Sequence, residues 1–192
     1  NWWGPVGEEC KMLRDRAGII DISNFAKYRC AGAGAEAWLN AIFANKMPKS
    51  VGRSCLTPLI SVRGGIAGDF TVTRTGDEEF WIIGSGMAER YHQRYFKAIE
   101  RPEDVSFESK TLEMCGFNVA GPKSRELLQR MSNTSFETSD FAFMRSKRVE
   151  IAGVDCIVTH CNRFSPLSFR KVSGDVGRCA NSVPIIQRRL KF

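Results

Sequence analysis

The sequence V-R-G-G-I-A-G-D-F-T-V-T-R, Val62 to Arg74, decides the fold. Gly64 and Gly65 predict a tight turn, because glycine alone takes positive φ without a Cβ penalty. Phe70-Thr71-Val72-Thr73 is β-branched and aromatic, the composition of a strand. Leu56 to Val62 supplies the partner strand of a hairpin. Asp69 is placed where turn becomes strand, with Gly68 beside it leaving room for something to approach the backbone. From these residues alone Asp69 has two roles open to it. It caps the turn through backbone N–H groups, or it offers a functional carboxylate at the hairpin mouth.

Outward from the hairpin, Thr75 to Glu78 predicts a second turn and Glu79 to Ile83 a third strand, so the centre is a meander. Upstream, Val6 to Ala17 has the spacing of an amphipathic helix with Pro5 near its start and Gly18 at its end. Ile19 to Ser23 reads as a strand or strand edge, Lys27 to Ala31 as another strand, and Gly34 to Ala44 as a helix with Trp38, Leu39, Ile42 and Phe43 on one face. Downstream, Ser85 to Ala98 is helical, with Ser85 the expected N-cap. His92 on that helix reads as a surface or packing residue. Val105–Ser109 and Cys115–Ala120 are strands, and Ser124 is expected to cap a helix running to Met131. Arg145–Ile151 and Cys156–Thr159 pair around Gly153. Strands and helices alternate without a βαβ period, which makes the fold class α+β.

The 192 residues are 43% apolar and 26% charged, an ordinary globular composition. No apolar run approaches the ~18 residues that cross a bilayer, so no membrane partner is expected. Seven cysteines stand without a C-x-x-C, and there are two histidines. No metal site and no disulfide framework are expected, but free thiols in a reducing compartment, the cytoplasm or alternatively the mitochondrial matrix. The net charge is +7, and residues 143–192 hold ten Lys/Arg against three Asp/Glu. The first 142 residues are therefore neutral overall. No nucleic-acid-binding motif accompanies the basic segment, so nucleic acid is a minor expectation.

Four motifs stand in one order: Gly18-Ile-Ile-Asp-Ile-Ser-Asn-Phe, Gly34-Ala-Glu-Ala-Trp-Leu-Asn, Gly64-Gly-Ile-Ala-Gly-Asp-Phe-Thr-Val and Phe117-Asn-Val-Ala-Gly-Pro-Lys-Ser-Arg. Together they resemble the tetrahydrofolate-binding domain of the aminomethyltransferase family, the glycine-cleavage T-protein. The likeness is greater to that domain where it is fused to a flavin module, in sarcosine and dimethylglycine dehydrogenases. Asn1-Trp-Trp-Gly-Pro-Val-Gly-Glu-Glu-Cys and Ile83-Gly-Ser-Gly-Met-Ala-Glu-Arg-Tyr-His resemble the same branch. The resemblance implies an aminomethyltransferase-like folate-binding fold without the family's C-terminal β-barrel domain. It implies transfer of a one-carbon unit from an N-methyl amine, as an iminium or formaldehyde, to tetrahydrofolate. FAD is expected only in the parent protein's flavin domain, which would act in cis or in trans. The family's hairpin aspartate matches Asp69, in an acid–base or electrostatic role. Phe25, Leu56, Thr71 and Ile83 are implied around the folate ring, although strands bury such side chains in any case.

The pattern departs beyond Thr159, where the family has Tyr-Thr-Gly-Glu-x-Gly. Ser173-Gly-Asp-Val-Gly177 is the corresponding fragment, with Asp175 in the place of the glutamate that holds the pterin. The expected organisation is a folate-binding region over residues 1–159 and a divergent basic segment over residues 160–192. The rewritten pocket wall leaves an alternative open: a folded but inactive remnant, or an interaction module, that no longer binds folate.

Overall fold

The computed structural model describes residues 1–161 and the backbone of residues 169–173. In chain order the elements are α1 (Trp3–Asp15), β1 (Gly18–Asp21), β2 (Ala26–Ala31), α2 (Ala35–Ile42), β3 (Arg53–Ile60), β4 (Ile66–Gly76) and β5 (Glu79–Gly84). They continue with α3 (Glu89–Ala98), β6 (Ser106–Ser109), β7 (Gly116–Ala120), α4 (Ser124–Gln129), β8 (Ser146–Ile151), β9 (Val154–His160) and β10 (Phe169–Ser173). They form two compact units, one of residues 24–112 and one built from residues 1–23 and the described residues from 113 onward. Each unit is built on a five-stranded sheet. The mixture of antiparallel sheets and helices is the α+β class that the sequence predicts.

In the unit of residues 24–112 the strand order is β3-β4-β5-β2-β6, antiparallel throughout. The predicted meander of three strands forms its first half. Strand alternation splits β4 cleanly: Phe70 and Val72 enter the core with Phe80 and Ile82 of β5 and Tyr28 and Cys30 of β2. Trp38 and Leu39 of α2 and Phe96 of α3 complete the same cluster. Aromatic edges and faces meet across it, Tyr28 on Phe107 at 5.3 Å, Phe96 on Phe107 at 4.6 Å and Phe43 on Phe70 at 5.4 Å. Each such pair contributes ~0.5–1.5 kcal/mol beyond simple burial. Phe70 occupies a slot that glycine leaves open. A Cβ on Gly84 would lie 2.5 Å from its ring, and a Cβ on Gly68 2.7 Å.

Several local expectations change. The hairpin turn is closed by Ser61, whose Oγ accepts the Gly65 N–H at 3.1 Å, with Gly64 at φ +79°. Strand β4 begins at Ile66, so Asp69 lies inside the strand opposite Pro58 rather than at the turn. The room beside Gly68 is filled by Phe70 and His92 of the protein itself. Helix α3 begins at Glu89, and Ser85 does not cap it. Ser124 is the first residue of α4 rather than its N-cap, and its hydroxyl donates to the Gly121 carbonyl at 2.7 Å. Helix α1 starts three residues earlier than its spacing predicts and buries none of its residues.

The other unit carries the order β1-β7-β10-β9-β8. β1 is an edge strand, as its short, half-exposed sequence allows, and Asp21 Oδ1 accepts the Ser23 N–H at 2.7 Å to turn the chain out of it. Ala152 and Gly153, at φ +52° and +78°, make the tight β8–β9 turn. Leu127, Leu128, Phe136, Phe141, Val149, Ile151 and Val158 are among the residues of its core. β10 pairs antiparallel with both β7 and β9.

The Phe70 slot yields a direct prediction. Gly84→Ala forces a methyl group into the Phe70 ring and is expected to cost about 1–3 kcal/mol in urea denaturation. Phe70→Leu in the Gly84→Ala background is expected to recover part of that loss, a non-additivity that an indirect effect would not produce.

Candidate functional site

Residues directly opposite one another in an antiparallel sheet share a face. Leu56 pairs with Thr71, Thr71 with Ile83, and Ile83 with Lys27, so these four form one row across β3, β4, β5 and β2. Asp69 lies two residues before Thr71 and therefore projects from the same face, away from Phe70 and the aromatic core. A second row runs parallel to the first, Ser54–Thr73–Trp81–Arg29. Phe25 is half-buried and immediately precedes β2. The sheet thus brings Asp69, Leu56, Thr71 and Ile83 together on one surface of one unit. Asp175 lies outside the described residues.

The row is unusual in what it buries. Leu56 is 58% exposed, whereas Lys27 is 1% exposed and Thr71 and Ile83 are buried. Ile83 and Thr71 project from the face opposite the apolar cluster that contains Phe70, Val72 and Ile82. Lys27 Nζ donates to the Phe25 carbonyl at 2.8 Å. In the second row the Ser54 and Thr73 hydroxyls share a hydrogen bond of 2.8 Å, and Arg29 Nε binds Glu79 at 2.8 Å. The Trp81 indole N–H is buried without a hydrogen-bond partner among the described residues. Lys27 and Trp81 carry no signal in the sequence: in A-K-Y-R-C-A the alternation assigns lysine to solvent, and only the sheet's environment reverses that.

Asp69 is exposed and has no hydrogen-bond or ion-pair partner among the described residues. The turn-capping role fails, since Ser61 performs it. A carboxylate without a partner in its own fold remains available to an incoming group. The strand beneath it is rigidly backed. On the opposite face His92 packs on the Phe70 ring at 4.7 Å, and its Nε2 would lie 2.8 Å from a Cβ on Gly68. His92 is a buried packing residue with no partner at Nδ1 among the described residues. Burial holds its imidazole below the usual histidine range, against an opposing pull from Glu89. Cys30 is buried in the same core, and desolvation pushes its thiol up to about 12, so it stays protonated and unreactive. Cys10, by contrast, is exposed. Among the described residues no cluster of His, Cys, Asp and Glu has the arrangement of a metal site.

Comparison with known proteins places this geometry. Residues 1–165 match the family described as the GCVT N-terminal domain. The chain belongs to that family. Mouse mitochondrial dimethylglycine dehydrogenase is 31% identical over 156 residues, 80% of this chain and 18% of the mouse protein. The chain therefore spans less than a fifth of that relative's length. Among solved structures, the glycine cleavage system aminomethyltransferase T from Bartonella henselae superposes with a TM-score of 0.77 at 18% identity, covering 93% of this chain and 47% of that one. A chain of the heterotetrameric sarcosine oxidase from Corynebacterium sp. U-96, determined with pyrrole 2-carboxylate, superposes with a TM-score of 0.66 at 13% identity, covering 94% and 89%. These likenesses give the fold. The GCVT-family chain is thus an aminomethyltransferase-like domain related to dimethylglycine dehydrogenase. Among the described residues no helix is long and apolar enough to cross a membrane.

The buried imidazole behind β4 couples stability to pH. Below about pH 6.5 the unfolded chain takes up a proton at His92 that the native state resists. Stability is therefore full above that pH and falls beneath it, by at most ~1.4 kcal/mol per pH unit. His92→Phe is expected to flatten this dependence between pH 7.5 and 5.5, as read from urea midpoints of the two proteins.

Proposed function

We propose that the sheet face carrying Asp69, Thr71, Ile83 and Leu56 is the folate-binding surface of a sarcosine- or dimethylglycine-dehydrogenase-like protein. The observation that carries this reading is the unpartnered Asp69 carboxylate on the same face as the Leu56–Thr71–Ile83 row. Membership of the GCVT family and the likeness to dimethylglycine dehydrogenase support it. The residues suit a flat, polar-edged ring: an exposed leucine and a buried isoleucine provide apolar contact, Thr71 a hydroxyl, and Asp69 an anion at the rim. Tetrahydrofolate, when bound, supplies the amines that accept a one-carbon unit from an N-methyl-amine-derived iminium. Asp69 orients a reacting amine, offsets developing positive charge, or moves a proton there.

Phe25 forms a further wall, and in the sequence Asp175 takes the motif position of the family's pterin-holding glutamate. In this reading residues 1–159 form the folate-binding region, and a flavin domain in cis or in trans generates the iminium, in the cytoplasm or the mitochondrial matrix.

Calorimetric titration with tetrahydrofolate tests the reading. Saturable binding is expected for the wild type, weakened at least tenfold in Asp69→Ala. Bound folate should also raise the thermal midpoint, by the equivalent of ~2.7 kcal/mol at a hundred times Kd. Asp69→Asn, at an exposed and unpartnered position, is expected to change stability by no more than ~0.5 kcal/mol. A folded wild-type chain that takes up no folate would establish the inactive alternative.

A further inference from the structure

The segment leading into β2 is held in two independent ways. Gly86 lies so close to it that a Cβ there would fall 1.5 Å from the Asn24 carbonyl oxygen and 3.4 Å from the Phe25 Cα. Only a residue without a side chain permits that approach. The second hold is Lys27, whose ammonium donates to the Phe25 carbonyl at 2.8 Å. The backbone of Lys27 is itself fixed. Its N–H donates to Thr111 Oγ1 at 3.1 Å, Thr111 in turn donates to Glu89 Oε1 at 2.7 Å, and its carbonyl accepts the Lys110 N–H at 2.7 Å.

Lysine is among the costliest side chains to bury fully, because its charge loses hydration. An apolar chain of the same length, such as methionine, would fill the space without that desolvation, at the expense of the hydrogen bond. What methionine lacks is an N–H to give to the Phe25 carbonyl. The same lysine completes the row of Leu56, Thr71 and Ile83. We propose that Lys27 is a positioning residue of the folate site: its ammonium fixes the Phe25 main chain and so presets Phe25 as a wall beside that row. This rests on the folate-binding reading. It adds a residue that acts through Phe25 rather than touching the ligand.

The test is calorimetric titration with tetrahydrofolate of the full chain as wild type, Lys27→Met, Phe25→Ala and the double variant, with thermal midpoints measured alongside. Lys27→Met, which leaves the Phe25 carbonyl without this donor, is expected to fold with a thermal midpoint no higher than wild type and to bind about tenfold more weakly. In the Phe25→Ala background the same change is expected to have no further effect, because the wall it positions is gone. Lys27→Arg, which keeps the donor, is expected to bind within about threefold of wild type. Unchanged affinity in Lys27→Met, or losses that multiply in the double variant, would overturn the inference while leaving the folate reading standing. If Lys27→Met does not fold, Lys27→Arg decides: near-wild-type affinity supports the inference, and a loss equal to that of Phe25→Ala overturns it. A folded wild type that binds no folate overturns the folate reading and this inference with it.

Discussion

The aromatic ring of Phe70, seated between Gly68 and Gly84, is the constraint on which the candidate site depends. A strand cannot choose the direction of one side chain without setting its neighbours, since successive residues face opposite ways. By committing Phe70 to the core, the slot commits Asp69 to the other face. His92, Phe43 and Phe96 then close around the ring and leave little freedom to rotate or slip. A carboxylate with no partner of its own is thereby held by packing behind it. Preorganisation of this kind avoids spending binding energy on ordering the group when a ligand arrives.

Much of this architecture is legible in the residues. The Gly64-Gly65 hairpin, the meander of β3, β4 and β5, helix α2 and the Gly153 turn all follow from local chemistry, because turn glycines and strand alternation act over a few residues. What is not legible depends on neighbours distant in the chain. Ser85 and Ser124 have the right side chains for capping, but their backbones enter the helices elsewhere. Composition does not mark where β4 starts and so puts Asp69 at the turn, whereas Ile66 and Ala67 extend the strand ahead of it. The pairing of β10 between β7 and β9 is a long-range choice that no local pattern announces.

The site face also inverts the ordinary rule of burial. A leucine stands in the open and a lysine is enclosed, within one row of the same sheet. Hydrophobic patterning describes the back of the sheet accurately and misdescribes its front. Such local disagreement between pattern and environment is expected where a surface serves a ligand rather than the core.

Helix α1 has a consequence of a different kind. It spans thirteen residues and buries none, a length at which a helix is marginal without tertiary support. Two of the four tryptophans, Trp2 at its N-cap and Trp3 as its first residue, are 65% and 76% exposed and in edge contact with each other. The other two, Trp38 and Trp81, are buried in the unit of residues 24–112. Intrinsic fluorescence therefore reports two things at once, fraying of a surface helix and melting of one sheet. The core around Phe136 and Phe141 contributes no tryptophan emission, so its loss would pass unseen by that signal.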